Sequence, residues 1–426
     1  MISLAIAGLL AIVLVLARVP TSIAPAIDGE LARRGLVVHV NLATGVWFFA
    51  FLAGLACLGR RVDGRRSPPP RPISRLPVIL ASAGMVAFTV PVLSGARVVL
   101  SDYVPVLDHW LFFAGLAAFA GGVLLETVRL VPAVAHSHVL PADVQHGVRA
   151  SAIAFAIALL TILTAFVCRP AGASQDAMFE HLFWGGGHVL QFAATAGMLA
   201  AWLLLAHQLL GTSAMSSRLA GALFALLLLP ASLGPWLIVS QHSPRSFTHM
   251  MELGIFPVVL VVSVVVIAAV RGQRRASEIH WPAQSIARIG LAVGIGMTLL
   301  GFALGAAITD DSTLTPAHYH ISIGAVSVTF MATLFVLLQR FGVPIRRPRL
   351  AIWQPLVYGV GQTVFALGLA IAGFWGGSAR KQYASELIAS PIERTGWIVA
   401  GVGGLVAFAG GVAFVVIVIG SVARRR

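Results

Sequence analysis

The chain has 426 residues, 58% hydrophobic and 10% charged, with a mean hydropathy of +0.92. Soluble globular proteins carry roughly a quarter charged residues, so the composition excludes a water-soluble fold and makes lipid the solvent for most of the chain. The formal net charge of +14 does not signal nucleic-acid binding, because the basic residues stand at the ends of apolar runs, as topology signals do.

In chain order, the apolar runs predict twelve membrane-spanning helices. They lie near 2–18, 36–59, 76–98, 107–131, 149–168, 182–208, 217–240, 250–271, 284–308, 316–341, 352–377 and 394–421. The expected fold is an all-α integral membrane bundle forming one transmembrane domain over residues 1–426. The first run lacks the basic start of a secretory leader, so it is expected to stay as a helix rather than be cleaved near Ala24. Placing both termini in the cytoplasm puts nineteen basic residues on the inner side and nine on the outer, a positive-inside bias expected of a bacterial inner membrane. The Pro-rich stretch Ser67-Pro68-Pro69-Pro70 is then a cytoplasmic connector. Cys57 and Cys168 fall at opposite membrane faces and cannot pair.

Thirteen histidines are the main chemical clue. Seven fall in loops or at helix ends, where an interfacial role suffices. His39, His188, His242, His249, His318 and His320 all fall in or beside the outer half of the membrane, where a buried ionisable group is costly and usually functional. The sharpest signal is Thr315-Pro316-Ala317-His318-Tyr319-His320. Positions two apart on a helix point about 200° apart, so one metal cannot take both imidazoles but two cofactors flanking the helix can. The alternative is a pair of interfacial histidines at a helix start. His39 opens helix 2 at a similar depth to His320. Two imidazoles across one porphyrin give a six-coordinate iron suited to electron transfer, which leaves His318 for a second iron with one face open to a gas. His188 follows Gly185-Gly186-Gly187 in helix 6, where missing side chains let a haem or another helix come close. A lone buried histidine there could instead bond a neighbouring carbonyl.

With these residues in hand, the chain resembles the main subunit of the heme-copper oxidase superfamily. Arg34 to Leu42 is similar to the low-spin haem segment of nitric oxide reductases, with its His-x-Asn-Leu. Phe183 to Gly197 resembles helix 6 of cbb-type oxidases, and His318-Tyr319-His320 resembles the His-x-His of helix 10. The resemblance implies two haems, b-type, one low-spin on His39 and His320 and one high-spin on His318, with His188 and His318 as catalytic residues. It also places Arg380 and Lys381 where the family keeps basic partners of the haem propionates.

One departure is plain. The family's non-haem metal needs two adjacent histidines on helix 7, and Trp236-Leu237 follows Gly234-Pro235 instead. His242 and His249, with Glu252 three residues on from His249, are the candidates to join His188 around a non-haem iron or copper. The inner halves of the helices carry few acids, which matches a non-pumping enzyme taking protons from outside. The reading is therefore a membrane dihaem reductase of NO or O2. No Cys-x-x-Cys-His haem attachment motif occurs, so electrons come from a c-type cytochrome, a cupredoxin or quinol, with a small haem- or copper-bearing partner subunit as a further expectation. A non-catalytic dihaem electron-transfer or gas-sensing protein is the rival, and metal content separates the two. A transporter with histidine proton relays would need inverted repeats, which the sequence does not show.

Overall fold

A computed structural model of the chain describes residues 1–19, 27–58, 75–135, 137, 139–272, 282–380 and 390–423. Lys381 and the Pro-rich connector at 67–70 lie outside the described residues. Among the described residues eleven helices are long and apolar enough to cross a membrane, and Ile2–Arg18 is a shorter apolar one. In chain order they are α1 (Ile2–Arg18), α2 (Gly29–Cys57), α3 (Leu76–Leu93), α4 (Trp110–Ala135), α5 (Ala142–Val167) and α6 (Gln175–Leu210). Then come α7 (Ser217–Val239), α8 (Pro244–Gly272), α9 (Ala283–Ala306), α10 (Leu314–Arg340), α11 (Pro348–Phe374) and α12 (Pro391–Val422). The all-α multi-pass membrane architecture expected from hydropathy is thus the architecture found.

Helix starts run several residues beyond the apolar runs. α5, α6 and α8 begin at Ala142, Gln175 and Pro244, about two turns before the apolar stretch that announces each. Their first turns are polar and are held by local bonds rather than by lipid. Ser174 caps α6 by accepting from the Ala177 amide, and Ser390 caps α12 by accepting from the Glu393 amide, with Pro391 in the first turn. α6 ends at Gly211, whose φ of +71° lets its amide close on the His207 carbonyl.

Two features were not expected. The run 76–98 stops being helical at Leu93, and Arg97–Val99 (β1) pairs antiparallel with Val106–Asp108 (β2). These apolar, β-branched residues read as helix in a hydropathy window because apolar runs do not distinguish short strands from helix ends. The second is a wider π-helical turn at Asn41–Val46 inside α2, two residues after His39, and such turns recur at functional sites.

The chain divides into two compact units, residues 1–39 with 275–426, and residues 40–274. In the first unit α10 packs on α9 and α11, while α11 pairs closely with α12. Small residues set that last approach: a Cβ added at Gly361 or Gly403 would lie 2.2 Å from the backbone of the opposing helix. In the second unit α6 packs on α5 and α8. α6 and α10 are the most buried spans, 83% of each apolar window against 56% for the next. They also carry His188 and the His318–His320 pair.

Candidate functional site

In the first unit, α10 sends its two histidines to opposite sides, as the 200° spacing requires. His318 turns toward α9, where its Nδ1 meets the Gly301 carbonyl at 2.7 Å. A carbonyl only accepts, so Nδ1 carries the proton and the lone pair of the neutral ring is on Nε2. Gly305 makes the seat: a Cβ there would stand 2.7 Å from the His318 ring. His320 turns the other way, edge-on to Phe365 of α11 with ring centroids 4.8 Å apart. His39 of α2 is close enough to His320 to act on it electrostatically. The His39 Nδ1 donates to the Ala7 carbonyl of α1 at 2.8 Å, which again leaves Nε2 as the acceptor.

These residues fit haem. A metal-binding imidazole characteristically spends its second N–H on a carbonyl, which fixes the tautomer and aims the lone pair. His39 and His318 both do so. All three rings are half-buried rather than packed into the apolar core. Sequence reading missed Arg18, which ends α1 and acts electrostatically on both His39 and His320. The available signal was its place as the one charge closing the first apolar run.

Arg380 is engaged within the protein. Its guanidinium lies 3.8 Å from the Asp311 carboxylate, and its amide donates to the Asp311 carbonyl. A bridge between Ser312 and Ala379 holds this loop against the start of α10.

In the second unit, His188 is 1% exposed and both ring nitrogens are engaged. Nδ1 donates to the Trp184 carbonyl at 2.8 Å, and the Tyr103 hydroxyl lies 3.0 Å from Nε2. Tyr103 comes from the loop between β1 and β2, and sequence reading did not single it out. Its φ of +66° places a bulky residue in the left-handed region, which costs on the order of 1–3 kcal/mol unless its surroundings hold it. They do. The Ser101 hydroxyl donates to the Val104 carbonyl, the Asp102 amide to Glu180, and the Asn41 side chain to the Pro105 carbonyl, at 2.7, 3.0 and 2.9 Å. Beneath the strands, Arg97 reaches Gln175 at 2.7 Å and Asp176 at 3.0 Å, tying the hairpin to the first turn of α6.

The three glycines before His188 admit protein side chains. A Cβ at Gly185 would meet Phe247, one at Gly186 would meet Ile162, and one at Gly187 would lie 2.3 Å from the Cβ of Tyr103.

The structure does not bring His242, His249 and Glu252 to His188. His242 bonds Ser240 through Nδ1 at 2.7 Å and stacks at a tilt on Trp236. His249 and Glu252 share a helix face, as i,i+3 spacing requires, but they pair with each other at 3.2 Å with side chains 69% and 44% exposed. The exposed turn before α8 holds His242 at the surface and the first turns of α8 hold His249 and Glu252 there, whereas His188 is buried within α6. Among the described residues no group of three or more His, Cys, Asp or Glu side chains is placed to hold a metal ion.

Residues 1–406 match the family model described as cytochrome c and quinol oxidase polypeptide I. An uncharacterised protein of Aquifex aeolicus is 27% identical, over 80% of this chain and 83% of its own length. An uncharacterised protein of Rickettsia prowazekii is 25% identical, over 98% of this chain and 93% of its own. In fold, the chain is similar to a heme-copper terminal oxidase dimer solved by cryo-EM, with a TM-score of 0.75 at 16% identity, covering 99% of this chain and 81% of that one. The family comprises membrane oxidoreductases that bind haem and accept electrons from donors such as cytochromes or quinols. With the matched model spanning nearly the full length, the chain is a member of the cytochrome c and quinol oxidase polypeptide I family, the main subunit of the heme-copper oxidases.

Proposed function

We propose that this protein is a dihaem reductase of NO or O2 in the bacterial cytoplasmic membrane, with both termini in the cytoplasm. The observation that carries the reading is α10, with His318 anchored on one side and His320, near His39, on the other. His39 and His320 would hold a low-spin haem and His318 a high-spin one. When bound, the haems supply one-electron transfer at a six-coordinate iron and gas binding at an iron with an open position. The carbonyls of Ala7 and Gly301 fix the tautomers of His39 and His318, so both present Nε2 without reorganisation. His188 is proposed to take part in handling the gas, as the family resemblance implies.

The chain has no Cys-x-x-Cys-His motif, so neither haem is attached covalently in the c-type manner, and b-type haems are the proposal. The same lack makes the electron donor a separate c-type cytochrome, cupredoxin or quinol, with room for a small haem- or copper-bearing partner subunit. The scarcity of acids on the inner halves of the spans supports a non-pumping enzyme.

One observation favours a second reading, a dihaem electron-transfer or gas-binding protein without net turnover. Both nitrogens of His188 are engaged within the protein, whereas reduction of NO or O2 in this family draws on a second metal. Purified, pre-reduced protein exposed to NO and to O2 separates the two. Sustained consumption of either gas with an artificial donor supports the reductase. Gas binding without consumption supports the second reading.

A further inference from the structure

The non-haem metal expected of this family needs imidazoles whose nitrogen lone pairs are free, and the donor set here does not fit it. His188 spends its Nδ1 proton on the Trp184 carbonyl, so the lone pair of the neutral ring is on Nε2, where a metal would bind. The Tyr103 hydroxyl stands 3.0 Å from that atom and can only donate to it. We infer that Tyr103 occupies the metal-binding position of His188, so that the chain holds no non-haem metal there. The phenol–imidazole pair takes its place.

The seat is built for this residue. Tyr103 holds a left-handed backbone, its loop is fixed by Ser101, Asp102 and Asn41, and its ring lies against His188 and Trp184, with centroids 4.4 and 5.9 Å apart. Gly187 leaves room for the tyrosine: a Cβ there would lie 2.3 Å from the Cβ of Tyr103. An accidental contact would not need strain, three loop bonds and an absent side chain to agree. A metal would have to break the hydrogen bond and expel a packed ring. His242, His249 and Glu252, the other ligands it would draw on, are paired elsewhere at the surface.

The inference rests on the haem reading for context and, within it, favours the second reading without net turnover over the reductase, and it can be tested apart from both. Full-length protein is purified in detergent, then analysed for total iron, copper and haem, before and after incubation with Cu(I) or Fe(II) and dialysis. The expected result is iron equal to haem iron, with copper far below one per chain. One additional iron or copper per chain that disappears in His188→Ala overturns the inference. Additional metal retained in that variant lies elsewhere and leaves it standing. Absence of haem would sink the haem reading while leaving this result readable. An infrared comparison tests the bond itself, using protein labelled on its four tyrosines. Tyr103→Phe identifies the Tyr103 C–O band, and His188→Leu should shift that band. A band indifferent to His188→Leu overturns the assignment even if no metal is found.

Discussion

The histidines of the two units are prepared for different tasks. In the first unit, His39 and His318 each commit one nitrogen to a backbone carbonyl and keep the other available, with ring surface left uncovered. In the second, His188 is enclosed, with one nitrogen on a carbonyl and the other on a phenol. Residue type is the same in both cases. What differs is whether the fold leaves the second lone pair open. On the proposed reading, that difference gives iron to the first group and hydrogen bonding to the second.

The comparison breaks most severely at the haem ligands. His320→Ala or His39→Ala should abolish nearly all of the low-spin reduced bands in the visible spectrum, because a six-coordinate iron needs both imidazoles. Retention of those bands in either variant would remove the residue from the ligand set. His318→Ala should instead abolish the CO-sensitive component and leave the low-spin bands in place.

Smaller effects sharpen the second half of the comparison. Gly187→Ala forces a methyl group into the Tyr103 ring, at a cost of about 1–3 kcal/mol, readable as a lowered Tm. Tyr103→Phe leaves the buried His188 Nε2 without its donor and should cost about 1–3 kcal/mol, with the low-spin bands unchanged. Smallest of all, His242→Ala and His249→Ala should each stay within about 0.5 kcal/mol and leave haem and metal contents as they were, since both side chains are exposed. A loss of metal in either would restore the ligand set that the sequence suggests.

Much of this was legible before any coordinates. Hydropathy located the eleven spans and the shorter apolar α1 found among the described residues, because lipid forces the chain to satisfy its backbone internally, and a span needs a long apolar run. The His318–His320 spacing announced that the two rings face opposite sides of α10, because helix geometry is rigid over two residues. Polar first turns such as Gln175 to His181 escaped notice, since they are capped and bonded rather than buried in lipid. The β1–β2 hairpin escaped for a different reason. Its Val98-Val99 and Val106-Leu107 carry apolar signal without helical length. Tyr103 was missed with it, because its importance depends on a loop geometry and on a contact with a residue 85 positions away. The glycines before His188 were read as room for a haem or a helix. Gly185 and Gly186 admit Phe247 and Ile162 of neighbouring helices, as the helix reading allowed, while Gly187 admits Tyr103 of the hairpin loop, which composition cannot name. The i,i+3 relation of His249 and Glu252 was real, yet proximity to each other says nothing of proximity to His188.

The most direct test of the central claim is a reduced, then CO-treated, visible spectrum of the purified protein, taken alongside His320→Ala and His318→Ala. The account predicts a CO-insensitive low-spin haem lost in the first variant and a separate CO-binding haem lost in the second. A wild-type spectrum without haem, or one in which both variants lose the same component, would contradict it.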